Sequence, residues 1–186
     1  MSISTNDLKN GMALNLPEGL MTVIEFQHVK PGKGGAFVRT KLRNYRTGAV
    51  FERTYRADEK LVLAKIDKRE MQYLYRESAH YVFMDNVSYD QLNVDAPTLG
   101  DSTSYLREGD SVVLQIYNEL VVGVDLPAAV ELTVTETEPG VQGDRVSGAR
   151  KPATLETGKV VQVPLFVNPG DKIKVDTRSG EYLTRV

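Results

Sequence analysis

Lys33 stands in Lys30-Pro31-Gly32-Lys33-Gly34-Gly35, between two runs with strand character. Pro31 fixes φ and lacks an N–H, so it ends the incoming strand. Gly32, Gly34 and Gly35 permit positive φ and a tight turn. The spacing predicts Lys33 at a hairpin tip, with no neighbouring side chain to cover its ammonium. On the outgoing run Arg39, Lys41 and Arg43 alternate with Val38, Thr40 and Leu42. Alternation puts the three cations on one strand face. A cationic face leading to a lysine tip is chemistry for a phosphate backbone. The same residues fit a solvated hairpin whose lysine only solubilises, and spacing alone leaves both readings open. The string lacks the Gly-Lys-Ser/Thr of a P-loop. Nothing local desolvates Lys33 as a catalytic base requires.

Other chemistries find less support. His28 and His80 lie far apart, and the chain has no Cys. That excludes disulfides, thiolate zinc sites and cysteine nucleophiles, and leaves no multi-histidine metal site. No metal and no cofactor is expected. No Ser-His-Asp arrangement is supported. Glu70, Glu77, Asp85, Asp90, Asp95, Asp101, Glu108 and Asp110 are widely spaced and have no matching His. They read as a solvated acidic surface, which keeps a module from adhering to RNA indiscriminately. Tyr73, Tyr75, Tyr81 and Phe83 offer either a base-stacking platform or a barrel core; the core is the favoured reading. His80, beside them, reads as structural or surface. The stretch 138–151 is Gly-rich and basic at its end. It is either a recognition loop or a disordered connection.

These residues must be positioned by strands. Short runs rich in β-formers and broken by Gly, Pro, Asn and Asp occur at 20–29, 36–45, 50–56, 81–84, 111–117, 120–124, 130–135, 159–167 and 172–176. No amphipathic helix of three turns is visible. Residues 89–94 and 97–106 suit short helical turns. Many short strands at close spacing make an all-β protein of small barrels or a sandwich. No close sequence repeat is apparent.

The 186 residues carry a net charge of −2, which hides an asymmetry. Residues 1–65 hold 6 Lys and 5 Arg against 6 acids, a net of +5. Residues 66–126 hold 4 bases against 11 acids, a net of −7. Residues 127–186 balance 8 against 8. Cuts near Ile66 and Pro127 give three parts, 1–65, 66–126 and 127–186, each the size of a small barrel. A single two-layer sandwich is the plainer alternative. No window approaches ~18 consecutive apolar residues, so no membrane-spanning helix is expected. Met1-Ser2-Ile3-Ser4-Thr5-Asn6-Asp7 lacks a basic region before an apolar core. No secretory signal is read there, and the cytoplasm is the expected location.

Lys30 to Arg39 resembles the tip hairpin of the bacterial translation elongation factor P family. The C-terminal stretch is similar to that family's signature. It comprises Lys151-Pro152-Ala153-Thr154-Leu155-Glu156-Thr157-Gly158, Val163-Pro164-Leu165-Phe166-Val167, Gly170-Asp171 and Lys174-Val175-Asp176-Thr177-Arg178-Ser179-Gly180-Glu181-Tyr182. Tyr73-Leu74-Tyr75 and Phe83-Met84-Asp85 also fit, so the resemblance runs the length of the chain.

The resemblance implies three small β-barrels in an L-shaped arrangement, an N-terminal SH3-like (KOW-type) domain followed by two OB-fold domains. It implies a non-enzymatic factor that binds the ribosome beside peptidyl-tRNA, contacts ribosomal RNA and both subunits, stimulates peptide-bond formation and relieves stalling at consecutive prolines. Lys33 matches the position that meets the tRNA acceptor end and that several members extend by modification, which implies a modifying enzyme as partner. Gly143, Asp144, Arg145 and Gly148 fall in the loop that approaches the mRNA codon in the exit site. Arg145 stands where the family commonly has Thr, and Ala149 where Gly is frequent. A monomer is expected. The alternatives are a related elongation factor P-like protein with other clients, or a generic single-strand RNA-binding OB protein. The latter predicts salt-sensitive binding to free RNA, against which the acidic middle argues.

Overall fold

A computed structural model gives the fold; it describes residues 1–140 and 148–186. The first sheet comprises β1 (Ser2–Ser4), β2 (Ala13–Leu16), β3 (Gly19–Val29), β4 (Phe37–Asn44), β5 (Val50–Arg56) and β6 (Lys60–Ala64), in the order β1-β6-β2-β3-β4-β5. The second comprises β7 (Asp67–Glu77), β8 (His80–Asp85), β9 (Gln91–Asp95), β10 (Ser111–Tyr117) and β11 (Leu120–Asp125). A one-turn helix, α1 (Ala96–Leu99), and a 3-10 helix (Gly100–Tyr105) lie between β9 and β10. The third comprises β12 (Ala129–Thr137), β13 (Arg150–Leu155), β14 (Val160–Pro164), β15 (Lys172–Asp176) and β16 (Tyr182–Arg185). The all-β reading stands.

The second and third sheets repeat one topology. Their orders are β11-β10-β7-β8-β9 and β14-β13-β12-β15-β16. Numbered from each sheet's own first strand, the second reads five-four-one-two-three, and so does the third when read from its β16 edge. This is the strand order of a five-stranded Greek-key barrel of OB type. The chain condenses into two compact units, Met1–Arg69 with Leu114–Gly123, and Glu70–Val113 with Val124–Val186.

Each core follows from strand alternation. In β4, Val38, Thr40 and Leu42 are buried while Arg39, Lys41 and Arg43 are exposed. Thr40 is tolerated inside because its hydroxyl donates to the Arg53 carbonyl at 2.7 Å. Val38 and Leu42 join Leu14, Met21, Val23 and Tyr55 in the core of the first sheet. Leu132, Val134, Leu155, Val163, Ile173 and Val175 fill the third.

Several sequence expectations change. Residues 89–94 are not a helical turn: β9 occupies most of them, and Leu92 and Val94 alternate with exposed Gln91, Asn93 and Asp95. The helical reading of 97–106 is borne out. The run 159–167 stops as a strand at Pro164. Strand β7 went unread because it opens on Asp67-Lys68-Arg69-Glu70, all exposed.

A repeat that sequence identity does not show appears in the turns. At Asn44, Asp85 and Asp176 the side-chain Oδ1 accepts from the backbone N–H groups two and three residues on, at 2.7–3.1 Å. The hydroxyls of Thr47, Ser88 and Ser179 each accept from the N–H two residues further, at 3.3 Å. The fifth position has positive φ in every copy: Gly48 at 71°, Tyr89 at 62° and Gly180 at 74°.

Candidate nucleic-acid interface

Strands β3 and β4 pair from Met21–Asn44 to Val29–Phe37, and the seven residues 30–36 beyond them carry no strand pairing. The tip is thus wider than a tight two-residue turn. Strand β3 ends two residues before Pro31, which has no N–H to continue the ladder. Only Gly34 of the three tip glycines uses positive φ, at 109°. A Cβ at Gly32 or Gly35 would meet nothing within 4 Å. Lys30, Pro31, Gly32, Lys33, Gly34 and Gly35 are all exposed. Among the described residues Lys33 has no hydrogen-bond or ion-pair partner, so its ammonium is available to a ligand.

The face that leads to the tip is mixed rather than wholly basic. Arg39 stands between Gln27 on β3 and Thr54 on β5. Lys41 stands between Glu25 and Glu52, and Arg43 between Thr22 and Val50. Directly opposed residues of an antiparallel pair share a face with Cβ atoms about 5 Å apart. Two carboxylates therefore flank the middle cation. Alternation along one strand could place the cations but not their neighbours, which strand register decides.

At the edge of this sheet Arg53 pairs with Glu18 at 2.7 Å and lies 5.4 Å over the Tyr55 ring. A hydrogen bond from its own backbone, and then Arg53, holds the Glu18 carboxyl below its ordinary value. His28 is exposed and meets Phe26 edge-on at 5.6 Å.

In the second sheet Tyr73, Tyr81 and Phe83 are core residues, the Tyr73 ring lying 5.6 Å from that of Tyr81 and 5.5 Å from that of Phe83. Tyr75 is not: it is 43% exposed. A bulge between Tyr73 and Tyr75 shifts the register by one, so Tyr75 opposes Val82 instead of Tyr81. A one-residue shift sends a side chain to the other face. The acids also divide. Glu70, Glu77, Asp90, Asp95, Asp101 and Glu108 are exposed, as expected. Asp85 and Asp110 are half-buried and structural: Asp85 caps its turn, and Asp110 accepts from the Arg107 backbone at 2.9 Å. Exposed His80 pairs through Nδ1 with Asp95 at 2.7 Å. Among the described residues no three His, Asp or Glu side chains converge as metal ligands would, and no helix is long and apolar enough to cross a membrane.

Gly143, Asp144 and Arg145 of the C-terminal loop lie outside the described residues. Gly148 is exposed with φ 89°. The base of the loop shows contacts that sequence did not reveal. Lys151 is 6% exposed, and its Nζ donates to the Glu138 carbonyl at 2.5 Å. The Thr137 hydroxyl donates to the Pro152 carbonyl at 2.9 Å. The sequence reads Lys151 as the basic end of a loop; it lies instead in β13, whose pairing with β14 turns it inward.

Comparison with known proteins places these features. Residues 4–61 match the family model described as the elongation factor P KOW-like domain, 66–124 the elongation factor P OB domain, and 130–185 the elongation factor P C-terminal model. Elongation factor P of Acidothermus cellulolyticus is 58% identical over 182 residues, spanning 98% of this chain and 97% of that protein. Elongation factor P of Pelotomaculum thermopropionicum is 55% identical over 184 residues, spanning 99% and 100%. Among solved structures, eukaryotic translation initiation factor 5A from Methanococcus jannaschii has a TM-score of 0.55 at 21% identity, over 67% of this chain and 94% of its own. That likeness concerns the fold. With a KOW-like module carrying the Lys33 hairpin, followed in sequence by two OB modules, the chain belongs to the elongation factor P family of translation elongation factors.

Proposed function

We propose that this chain acts on the ribosome beside peptidyl-tRNA, stimulating peptide-bond formation and relieving stalls at consecutive prolines. The observation that carries the reading is Lys33: exposed, without a partner among the described residues, on a seven-residue tip at the end of the β3–β4 hairpin. Proline is a constrained nucleophile, and a misplaced peptidyl-tRNA forfeits the orientation on which bond formation depends. Correct positioning of reactants is worth several kcal/mol of barrier. Lys33 supplies a point charge to the tRNA acceptor end, with Arg39, Lys41 and Arg43 holding phosphates behind it. The chemistry stays the ribosome's, so this reading includes no enzyme activity.

Three modules, 1–65, 66–126 and 127–186, serve this role in the cytoplasm, with ribosomal RNA and both subunits as partners. The loop with Gly143, Asp144, Arg145 and Gly148 approaches mRNA in the exit site, and a modifying enzyme extends Lys33. The flanking of Lys41 by Glu25 and Glu52 weighs against a general single-strand RNA binder.

The test is a reconstituted translation assay on a consecutive-proline template. Lys33→Ala should unfold at the wild-type midpoint, since exposed surface substitutions stay within about 0.5 kcal/mol, and should not rescue synthesis. Full rescue by that variant overturns the reading. Intact mass and peptide mapping around Lys33 test the modification.

A further inference from the structure

Tyr105 ends the 3-10 helix between β9 and β10, yet its side chain lies in the buried core of the third sheet with Leu132, Val134, Leu155 and Val175. It is 5% exposed. Three contacts tie its neighbourhood to the β13–β14 turn. The Thr157 hydroxyl donates to the Ser104 carbonyl at 2.6 Å. Lys159 Nζ lies 4.8 Å over the Tyr105 ring, a cation–π distance. Arg107 reaches Glu156 at 3.7 Å.

The β15–β16 turn, residues 176–181, receives the end of the ring. A Cβ built on Gly180 would stand 3.2 Å from the Tyr105 hydroxyl and 3.4 Å from Lys159 Cε. Tyr105 thus crowds Gly180, where the positive φ of 74° already favours glycine. The same turn holds the connection between the second and third sheets. The Thr177 hydroxyl donates to the Pro127 carbonyl at 2.6 Å, and its N–H to the Ala128 carbonyl at 3.0 Å. The turn does not yield readily, because Asp176 Oδ1 accepts from Arg178 and Ser179 N–H groups.

The geometry points to a lock: Tyr105 is the peg, the 176–181 turn is its socket, and together they make the Glu70–Val113 and Val124–Val186 segments one rigid arm. Neighbouring modules of a chain move against each other unless a substantial contact prevents it. Here one buried aromatic and a clamped linker supply that contact. The Asp176-Thr177-Arg178-Ser179-Gly180 stretch thereby acquires a role: it is the receptor of Tyr105. The lock's use in positioning the C-terminal loop rests on the ribosomal role proposed above; the lock itself does not.

Residual dipolar couplings of amides in β8 and β9 and in β12 and β15 test it. Wild type and Tyr105→Phe should fit a single alignment tensor. Tyr105→Ala should need two, with each sheet keeping its own native amide pattern; a single tensor for that variant overturns the lock. Tyr105→Leu, which keeps an apolar side chain in the core, serves the same comparison if the alanine variant does not fold. Gly180→Ala should be less damaging to stability in a Tyr105→Phe background than in wild type, because the hydroxyl it meets is gone. Strict additivity overturns the socket. Split tensors with intact polyproline rescue leave the lock standing and refute its positioning use. Rescue by Lys33→Ala refutes the ribosomal reading of the tip alone.

Discussion

The backbone of Gly140 passes so close to Leu165 that a Cβ built on it would stand 2.6 Å from the Leu165 carbonyl oxygen. The obstacle is main chain, so no side-chain rotation relieves it. Gly140→Ala should therefore lower stability by about 1–3 kcal/mol, the range for overpacking at a tight site. Gly148→Ala is the control, since its φ is 89° but no atom of the described residues lies within 4 Å of the added Cβ. It should cost only the left-handed penalty, about 1 kcal/mol. Urea midpoints of the two variants check the order, and a Gly148→Ala loss equal to or above that of Gly140→Ala would refute it.

Glu25 and Glu52 oppose Lys41 from both neighbouring strands; if this face meets phosphates as proposed, the two carboxylates should limit how well it holds free RNA. The double variant Glu25→Gln, Glu52→Gln should bind single-stranded RNA more tightly. Its log–log salt slope should steepen by roughly 1, since each added phosphate contact contributes about 0.7. Arg39→Ala should move both quantities the other way. Filter-binding titrations at several salt concentrations measure both, and an unchanged slope in the double variant would show that the carboxylates do not govern the face.

How much of this was legible beforehand depends on whether one residue's pattern or two strands' register decided the matter. The alternation of β4 was legible because one of its faces is buried and Val38, Thr40 and Leu42 mark it. The exposed place of Lys33 on the tip was legible because Pro31 ends the incoming strand and the glycines beside it carry no covering side chain, while its spacing left its role open. Strand β7 was hidden by its charged opening, and β9 by its shortness. The acids beside Lys41, the outward turn of Tyr75 and the burial of Lys151 all come from pairing between strands. No single-strand pattern contains them. The threefold turn escaped because Asn substitutes for Asp, Thr for Ser, and Tyr for Gly, each keeping the same hydrogen bonds.

Tyr89 holds the fifth position of that turn at φ 62°, where Gly48 and Gly180 serve in the other two copies. A side chain in the left-handed region costs about 1 kcal/mol, more for a bulky residue. Tyr89 is 70% exposed, so its ring contributes little packing in return. Tyr89→Gly should therefore raise stability, by up to ~1 kcal/mol after the added freedom of the unfolded chain is subtracted. Thermal and urea unfolding check the sign. A loss of stability would mean that the ring makes contacts worth more than the backbone strain.

Asp176 gives the pH dependence a defined direction. Backbone N–H groups of Ser179 and Arg178 hold its carboxyl below the ordinary value of 3.8, with the Arg178 charge a smaller aid. A carboxylate depressed in the folded state contributes stability that is present above its unfolded pKa and is lost as pH falls through the folded one. Wild type should therefore lose stability on acidification below about pH 4. Asp176→Asn keeps an oxygen acceptor for the turn but cannot titrate, so its stability should be lower at neutral pH and converge on wild type in acid. Urea midpoints across pH 2 to 7 compare the two curves. A constant gap between them would mean that shape, and not the charge of the Asp176 carboxylate, holds the turn that receives Tyr105.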